Sequence, residues 1–233
     1  MMATLGPFLL GSAETGWHGI AHGDARALCD WLPAESVDVI YTDPPYLREF
    51  VPLYGWLAEM AARVLKPGGF VLAMAGGSYK DRIMSDMRKH LTYHWDYHFQ
   101  LTGSLTGKVH PHGAHKPIIV RTKSILAFSK GKSAARTVTY SLMSGTGGDK
   151  EYHRWGQDVV SARYYIDCFS RPGDVVLDPF GGGGTTAEAA RLIGRRWLLM
   201  DSDPVAVATA RARLLRSDMP LFASLPLTER MAL

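Results

Sequence analysis

The sequence predicts an α/β fold: an open, mostly parallel sheet with helices on both faces. Three observations predict it. Short β-branched runs alternate with stretches of helical periodicity along most of the chain. Two of those runs end in turn-forming segments, Asp43-Pro44-Pro45-Tyr46 and Asp178-Pro179-Phe180-Gly181-Gly182-Gly183-Gly184, the kind of segment that lies at the carboxyl ends of strands. The 233 residues, 46% of them hydrophobic, suffice for one substantial core without a disulfide or metal staple.

The first clear strand is 36–42, an apolar run that ends at Asp43. A helix follows over 53–65, with Leu53, Trp56, Leu57, Met60, Ala61 and Val64 at helical spacing. Lys66-Pro67-Gly68-Gly69 stops it, and 70–75 reads as the next strand. Segments 94–101 and 118–128 read as a later pair of strands joined by a polar loop, and 129–150, rich in Lys, Arg, Ser, Gly and Thr, as a flexible surface segment. The remaining alternation predicts a helix over 158–169, a strand over 174–177, a helix over 185–192 and a strand over 196–200. A last helix is opened by Pro204 and runs to about 216. Residues 220–233 carry no signal.

The composition narrows the classes. No apolar run is long enough to span a bilayer, and the N-terminal segment has no basic region of the signal-peptide kind. Cys29 and Cys168 show no CxxC spacing and read as reduced thiols of a cytosolic protein. The formal charge of +4 suits a polyanionic partner without requiring one.

Residues 175–186 read as strand, glycine turn and helix start. Glycines there permit positive φ and close backbone approach to a ligand, the helix start supplies free amide donors, and Asp201 lies at the end of the next strand, where an acid can bind ribose hydroxyls. Taken alone, the pattern suits NAD in an oxidoreductase as well as another nucleotide. It lacks the Gly-Lys-Ser/Thr ending of a phosphate-binding loop.

Asp43-Pro44-Pro45-Tyr46 presents one carboxylate, acceptor carbonyls and one aromatic face on a turn stiffened by two prolines. An exocyclic amino group on a base needs such acceptors, and the flat base needs a stacking surface. The simpler reading is a proline turn closing a strand. Pairing with the glycine loop favours the ligand site, because two strand ends of one sheet can share a crevice.

Together these segments resemble the β-class amino DNA methyltransferases, in which the catalytic tetrapeptide precedes the cofactor glycine loop. The resemblance runs from about residue 22 to 214. It includes Gly23-Asp24, Leu65-Lys66-Pro67-Gly68-Gly69, Arg171-Pro172-Gly173-Asp174 and Gly194-Arg195-Arg196. It implies a Rossmann-like class I methyltransferase with a mostly parallel, seven-stranded twisted sheet, organised as one S-adenosylmethionine-dependent domain over 1–233. The catalytic half would span about 18–130, a short basic segment about 129–152, and the cofactor half about 153–216.

Residue by residue, the resemblance implies that Phe180, Gly181 and Gly183 line the pocket of S-adenosylmethionine. Asp178 and Thr185 would make polar contacts to it, Asp201 would bind its ribose and Asp24 its adenine end. Asp43 and the carbonyl of Pro44, on the turn stiffened by Pro45, would hold the target amino group while Tyr46 stacks on the extruded base. Such chemistry needs no metal and no nucleophilic cysteine. The Asp at the head of the tetrapeptide favours the N6 amino group of adenine over N4 of cytosine.

The chain departs from the family pattern in two places. Trp155-Gly156-Gln157 stands where many members carry Lys-Pro, and Gln157 is expected to cap or contact the cofactor. The usual place of a target-recognition insert holds only about twenty residues, which is short for reading a long DNA site; a second subunit would extend it, so a homodimer is the assembly to test.

Lys108, His110, His112, His115, Lys116, Arg121, Lys123, Lys130, Lys132 and Arg136 cluster in sequence. His110-x-His112-x-x-His115 lacks the cysteines and helical spacing of common metal sites, so a phosphate-contacting surface is expected, with Lys108, His112, Lys116, Arg121, Lys130 and Lys132 on DNA. Two readings compete with the methyltransferase. An NAD-type oxidoreductase gives no purpose to Asp43–Tyr46, and a non-catalytic nucleic-acid-binding module needs no intact tetrapeptide.

Overall fold

The computed structural model of the chain describes residues Thr4–Leu5, Phe8–Leu9, 18–100, 122–132, 142–144 and 159–217. Strands β1 (Thr4–Leu5) and β2 (Phe8–Leu9) form a short antiparallel pair. The main sheet contains β3 (His18–His22), β4 (Val37–Thr42), β5 (Leu65–Ala75), β6 (Thr92–Gln100), β7 (Thr122–Ser129), β8 (Leu142–Ser144), β9 (Val175–Asp178) and β10 (Arg196–Asp201). Their order is β3-β10-β9-β4-β5-β7-β6-β8, and all pairings are parallel except β5–β7 and β6–β7. The first seven make the mostly parallel methyltransferase-type sheet; β8 adds an eighth strand at the edge, inside the stretch expected to be structureless.

Helices cover both faces. On one side α1 (Ala25–Cys29), α2 (Val51–Val64) and α3 (Lys80–Met87) share a core with Ile40, Val71, Ala73 and Phe128 of the strands. On the other, α4 (Val159–Phe169), α5 (Thr185–Leu192) and α6 (Pro204–Ser217) pack against Val39, Leu72, Val176 and Leu199. Strand β4 is covered on both faces, so Val39, Ile40, Tyr41 and Thr42 are all buried and the run reads as continuously apolar rather than alternating.

Helix α2 forms because Tyr54, Leu57, Ala58, Ala61 and Val64 recur at three- and four-residue intervals and bury one stripe. It starts two residues before the expected boundary, with Pro52 in its first turn, where a missing N–H costs nothing. Lys66–Gly69 interrupts the β4–β5 ladder instead of preceding it. Val37 pairs with Leu65 and Val39 with Phe70, so the turn loops out of a strand already begun. Strand β6 carries a bulge at His94, between Tyr93 and Trp95 in the register with β7. Among the described residues no helix is long and apolar enough to cross a membrane.

Candidate active site

Because β3, β10, β9, β4 and β5 are parallel, their carboxyl ends lie along one edge of the sheet. That edge collects Asp24 after β3, Asp201 at the end of β10, the glycine turn after β9, and Asp43–Tyr46 after β4. Strand β4 pairs directly with β9 through Val39–Val176 and Ile40–Leu177, which brings tetrapeptide and glycine loop to adjacent positions. The permuted chain order therefore leaves no gap between them in space.

A buried network joins the two. Asp178 Oδ1 accepts from Thr42 Oγ1 at 2.7 Å and from the Phe180 amide at 3.0 Å; Asp178 Oδ2 accepts from Thr186 Oγ1 at 2.6 Å. Burial pushes the Asp178 carboxyl up to about 6, against the lowering effect of these three bonds. Its carboxylate is thus spent inside the fold. Asp178, expected to make a polar contact to the cofactor, forms a strut between the two strand ends in this structure. Thr185 is likewise turned inward, its Oγ1 accepting from buried Arg213 of α6, which also pairs with Glu188.

The glycine turn is held by Asp201. Its Oδ2 accepts from the Gly182 amide and its Oδ1 from the Asp203 amide, both at 2.8 Å, and the side chain is half-buried at the lip of the edge. Gly181 donates to the Met200 carbonyl at 2.8 Å, and a Cβ on Gly181 would stand 2.6 Å from Leu199 Cγ, so only glycine lies so close to β10. Gly184 has φ 85° and begins α5. Phe180 is half-buried and meets Trp56 edge-on at 6.2 Å. Asp24 is exposed and caps α1 through the Arg26 amide at 2.9 Å. The Arg26 guanidinium holds the Asp24 carboxyl below the usual carboxylate range.

Around the tetrapeptide, Pro44 is buried, Pro45 half-buried and Tyr46 38% exposed, enough ring to offer a flat partner. Tyr46 lies beside Gly76 at the end of β5, where a Cβ would come within 3.4 Å of it. Lys123, at the start of β7, donates to Asp43 Oδ2 at 2.5 Å and stands 4.9 Å from the centroid of the Tyr46 ring. Tyr54 of α2 donates to the Met74 carbonyl at 2.8 Å; burial, and then the charge of Asp43, push its phenol well above its ordinary value. Sequence reasoning missed Thr42 and Tyr54 and gave Lys123 only a place in a basic cluster. Thr42 directly precedes Asp43, but nothing in the sequence announces its reach to Asp178.

The described lysines of the basic cluster divide between the two ends of the sheet. Lys130 donates to Glu35 Oε1 at 3.1 Å and to the Leu65 carbonyl at 2.8 Å, at the amino-terminal edge of the parallel strands. It is seven residues along β7 from Lys123, roughly 23 Å away at strand pitch. Exposed Lys132 follows it. Both lie at the end of the sheet opposite Asp43, because β7 runs antiparallel to β5, and Lys130 already has an acidic partner. Lys108, His112, Lys116, Arg121 and Gln157, with His110 and His115, lie outside the described residues. No cluster of His, Cys, Asp or Glu able to hold a metal occurs among the described residues. Burial pushes the thiol of Cys29 up to about 12.

Sheet order and edge chemistry define a class I, Rossmann-like methyltransferase fold. The family model described as DNA methylase, of the N6/N4 methyltransferase type, matches residues 144–212, and enzymes of that family draw their methyl group from S-adenosylmethionine. The chain is similar to the DNA adenine methyltransferase YhdJ of Escherichia coli K12, 29% identical over 227 residues that span 77% of this chain and 76% of that one. Among solved structures it is similar to the cytosine-N4-specific PvuII DNA methyltransferase (TM-score 0.76, 20% identity, 87% of this chain and 88% of that one). It is also similar to the M1.HpyAVI–SAM complex (TM-score 0.66, 22% identity, 83% and 98%). The residues present fit this donor: a half-buried carboxylate at Asp201 and a glycine turn without side chains supply an acceptor for hydroxyls beside open backbone.

Proposed function

We propose that this protein methylates the N6 amino group of adenine in DNA, with Asp43, Pro44, Pro45 and Tyr46 as its catalytic turn. The observation that carries the proposal is the direct β4–β9 pairing, which sets the acceptor turn beside the glycine loop, with Thr42 and Asp178 bonded across the seam. Asp201 would bind the ribose of the cofactor, Gly181, Gly183 and Phe180 would line its pocket, and Asp24 would stand at its adenine end.

S-adenosylmethionine supplies an electrophilic methyl group. The chain must supply the rest. An exocyclic amine is a poor nucleophile because its lone pair delocalises into the ring. Acceptors at Asp43 and the Pro44 carbonyl would hold both amino hydrogens, favour sp³ geometry and stabilise the charge that develops on nitrogen. Tyr46 would stack on the base once it is extruded from the duplex, at a cost of a few kcal/mol.

Adenine is supported by the Asp at the head of the tetrapeptide and by the name of the YhdJ relative. Incubation with labelled S-adenosylmethionine and genomic DNA, followed by nucleoside mass spectrometry, is expected to yield N6-methyladenine. N4-methylcytosine would replace the base assignment, and unlabelled DNA would sink the enzyme. A homodimer remains part of the proposal; sedimentation with and without DNA tests it.

A further inference from the structure

Lys123 engages both groups that the proposed function reserves for the base: its Nζ donates to Asp43 Oδ2 at 2.5 Å and lies 4.9 Å from the Tyr46 ring centroid. Both ends of the pair are mostly withdrawn from water, with side-chain exposures of 15% for Lys123 and 21% for Asp43. The geometry points to Lys123 as a specificity-determining residue. Its ammonium holds the amino-group subsite and yields it to a base that arrives on a charged phosphodiester backbone, whose phosphate takes the ammonium over. This inference rests on the reading that Asp43 and Tyr46 receive the base.

The argument is electrostatic. During transfer the target nitrogen becomes cationic and directs its hydrogens at the carboxylate. An ammonium on the same carboxylate uses up an acceptor and sets a like charge beside the developing one, where little solvent screens it. The Lys123–Asp43 contact therefore opposes methyl transfer, and release of Oδ2 favours it. The ladder partners of β7, Ala75 and His98 opposite Ser124, fix the backbone, so the side chain is what moves. A lysine suits this, with a four-carbon stem and donors that follow a point charge. A free nucleoside or an uncharged strand offers the ammonium nothing in return, whereas a phosphate next to the target base offers a charge-assisted bond.

The test compares one mixed-sequence single-stranded oligonucleotide in two forms, all-phosphodiester and all-methylphosphonate, as methyl acceptors with labelled S-adenosylmethionine. The wild type is expected to show kcat/KM at least tenfold higher on the charged form. Lys123→Met is expected to raise kcat/KM on the uncharged form about tenfold and so to narrow the preference for the charged form at least as much, while Lys123→Arg keeps the wild-type pattern. Equal wild-type rates on the two forms overturn the inference, as does a Lys123→Met rate on the uncharged form at or below that of the wild type. Lys123→Gln replaces the Met variant if that protein fails to bind cofactor. Asp43→Ala in the same assay separates the two levels. Turnover by that variant removes the underlying site, whereas its inactivity together with no gain in Lys123→Met removes only the role of Lys123.

Discussion

The hydroxyl of Thr42 donates to the buried carboxylate of Asp178 at 2.7 Å, tying the residue before the proline turn to the residue before the glycine turn. Burial raises the Asp178 carboxyl from 3.8 to about 6. A carboxyl raised in the folded state binds its proton more tightly there, so its contribution to stability is full below about pH 4 and is lost as pH rises through about 6. The loss corresponds to roughly 3 kcal/mol. Asp178→Asn keeps the acceptor oxygen but does not titrate. Its stability relative to wild type should therefore rise between pH 4 and 7, as read by urea unfolding at both pH values. A difference independent of pH would show that the Asp178 carboxyl titrates in the fold as it does in the unfolded chain.

Asp43→Ala removes the proposed amine acceptor and leaves the glycine turn untouched. Methyl transfer should be abolished while S-adenosylmethionine still binds, as measured by calorimetry alongside a label-transfer assay. Substantial turnover would refute the catalytic assignment.

Tyr46→Ala removes a stacking surface and should raise KM for DNA and slow transfer, with stacking worth about 1–3 kcal/mol per base. Since 38% of this residue is exposed, the fold should lose little. Unchanged kinetics would take the platform away from Tyr46.

Gly184→Ala combines a strained φ of 85° with a Cβ placed 3.0 Å from Ala210 Cβ. The expected cost is about 1–3 kcal/mol, seen as a lower Tm together with weaker cofactor binding. Adding Ala210→Gly removes the 3.0 Å contact, leaves the Ala210 Cα at 3.2 Å and adds about 1 kcal/mol of helix cost, so recovery should be partial at most. Full recovery by the double variant would mean that the left-handed conformation costs nothing here.

Asp201→Ala frees two amides, those of Gly182 and Asp203, and removes the proposed ribose acceptor. Cofactor affinity should fall at least tenfold by calorimetry. An unaltered affinity would move ribose binding elsewhere.

Much of this architecture is legible in the sequence where burial is two-sided or a helix buries a full stripe, as at Val37–Thr42 and Val51–Val64. It fades where the buried surface is small. Helix α3 went unseen because only Ile83 and Met87 of its eight residues are buried. Strand β3 has three buried residues, Gly19, Ile20 and Ala21, too few to show a period. The strand ends that carry Asp43 and Asp201 were readable because turn chemistry is local. The partnership of Lys123 with Asp43 was not, since it spans eighty residues and depends on the antiparallel run of β7. The same alternation of direction carries Lys130 to the opposite end of the sheet, which a linear count of basic residues cannot register.

The two-rung ladder between β4 and β9 has one more consequence. In the proposed site the methyl donor hangs from one strand and the acceptor from its immediate neighbour, so their separation is referred to the spacing between paired strands, about 4.8 Å in any sheet. Backbone hydrogen bonding fixes that gauge, and side-chain substitution leaves it unchanged. Loops that choose the base and its sequence context are then free to diverge without recalibrating the distance over which the methyl group must travel.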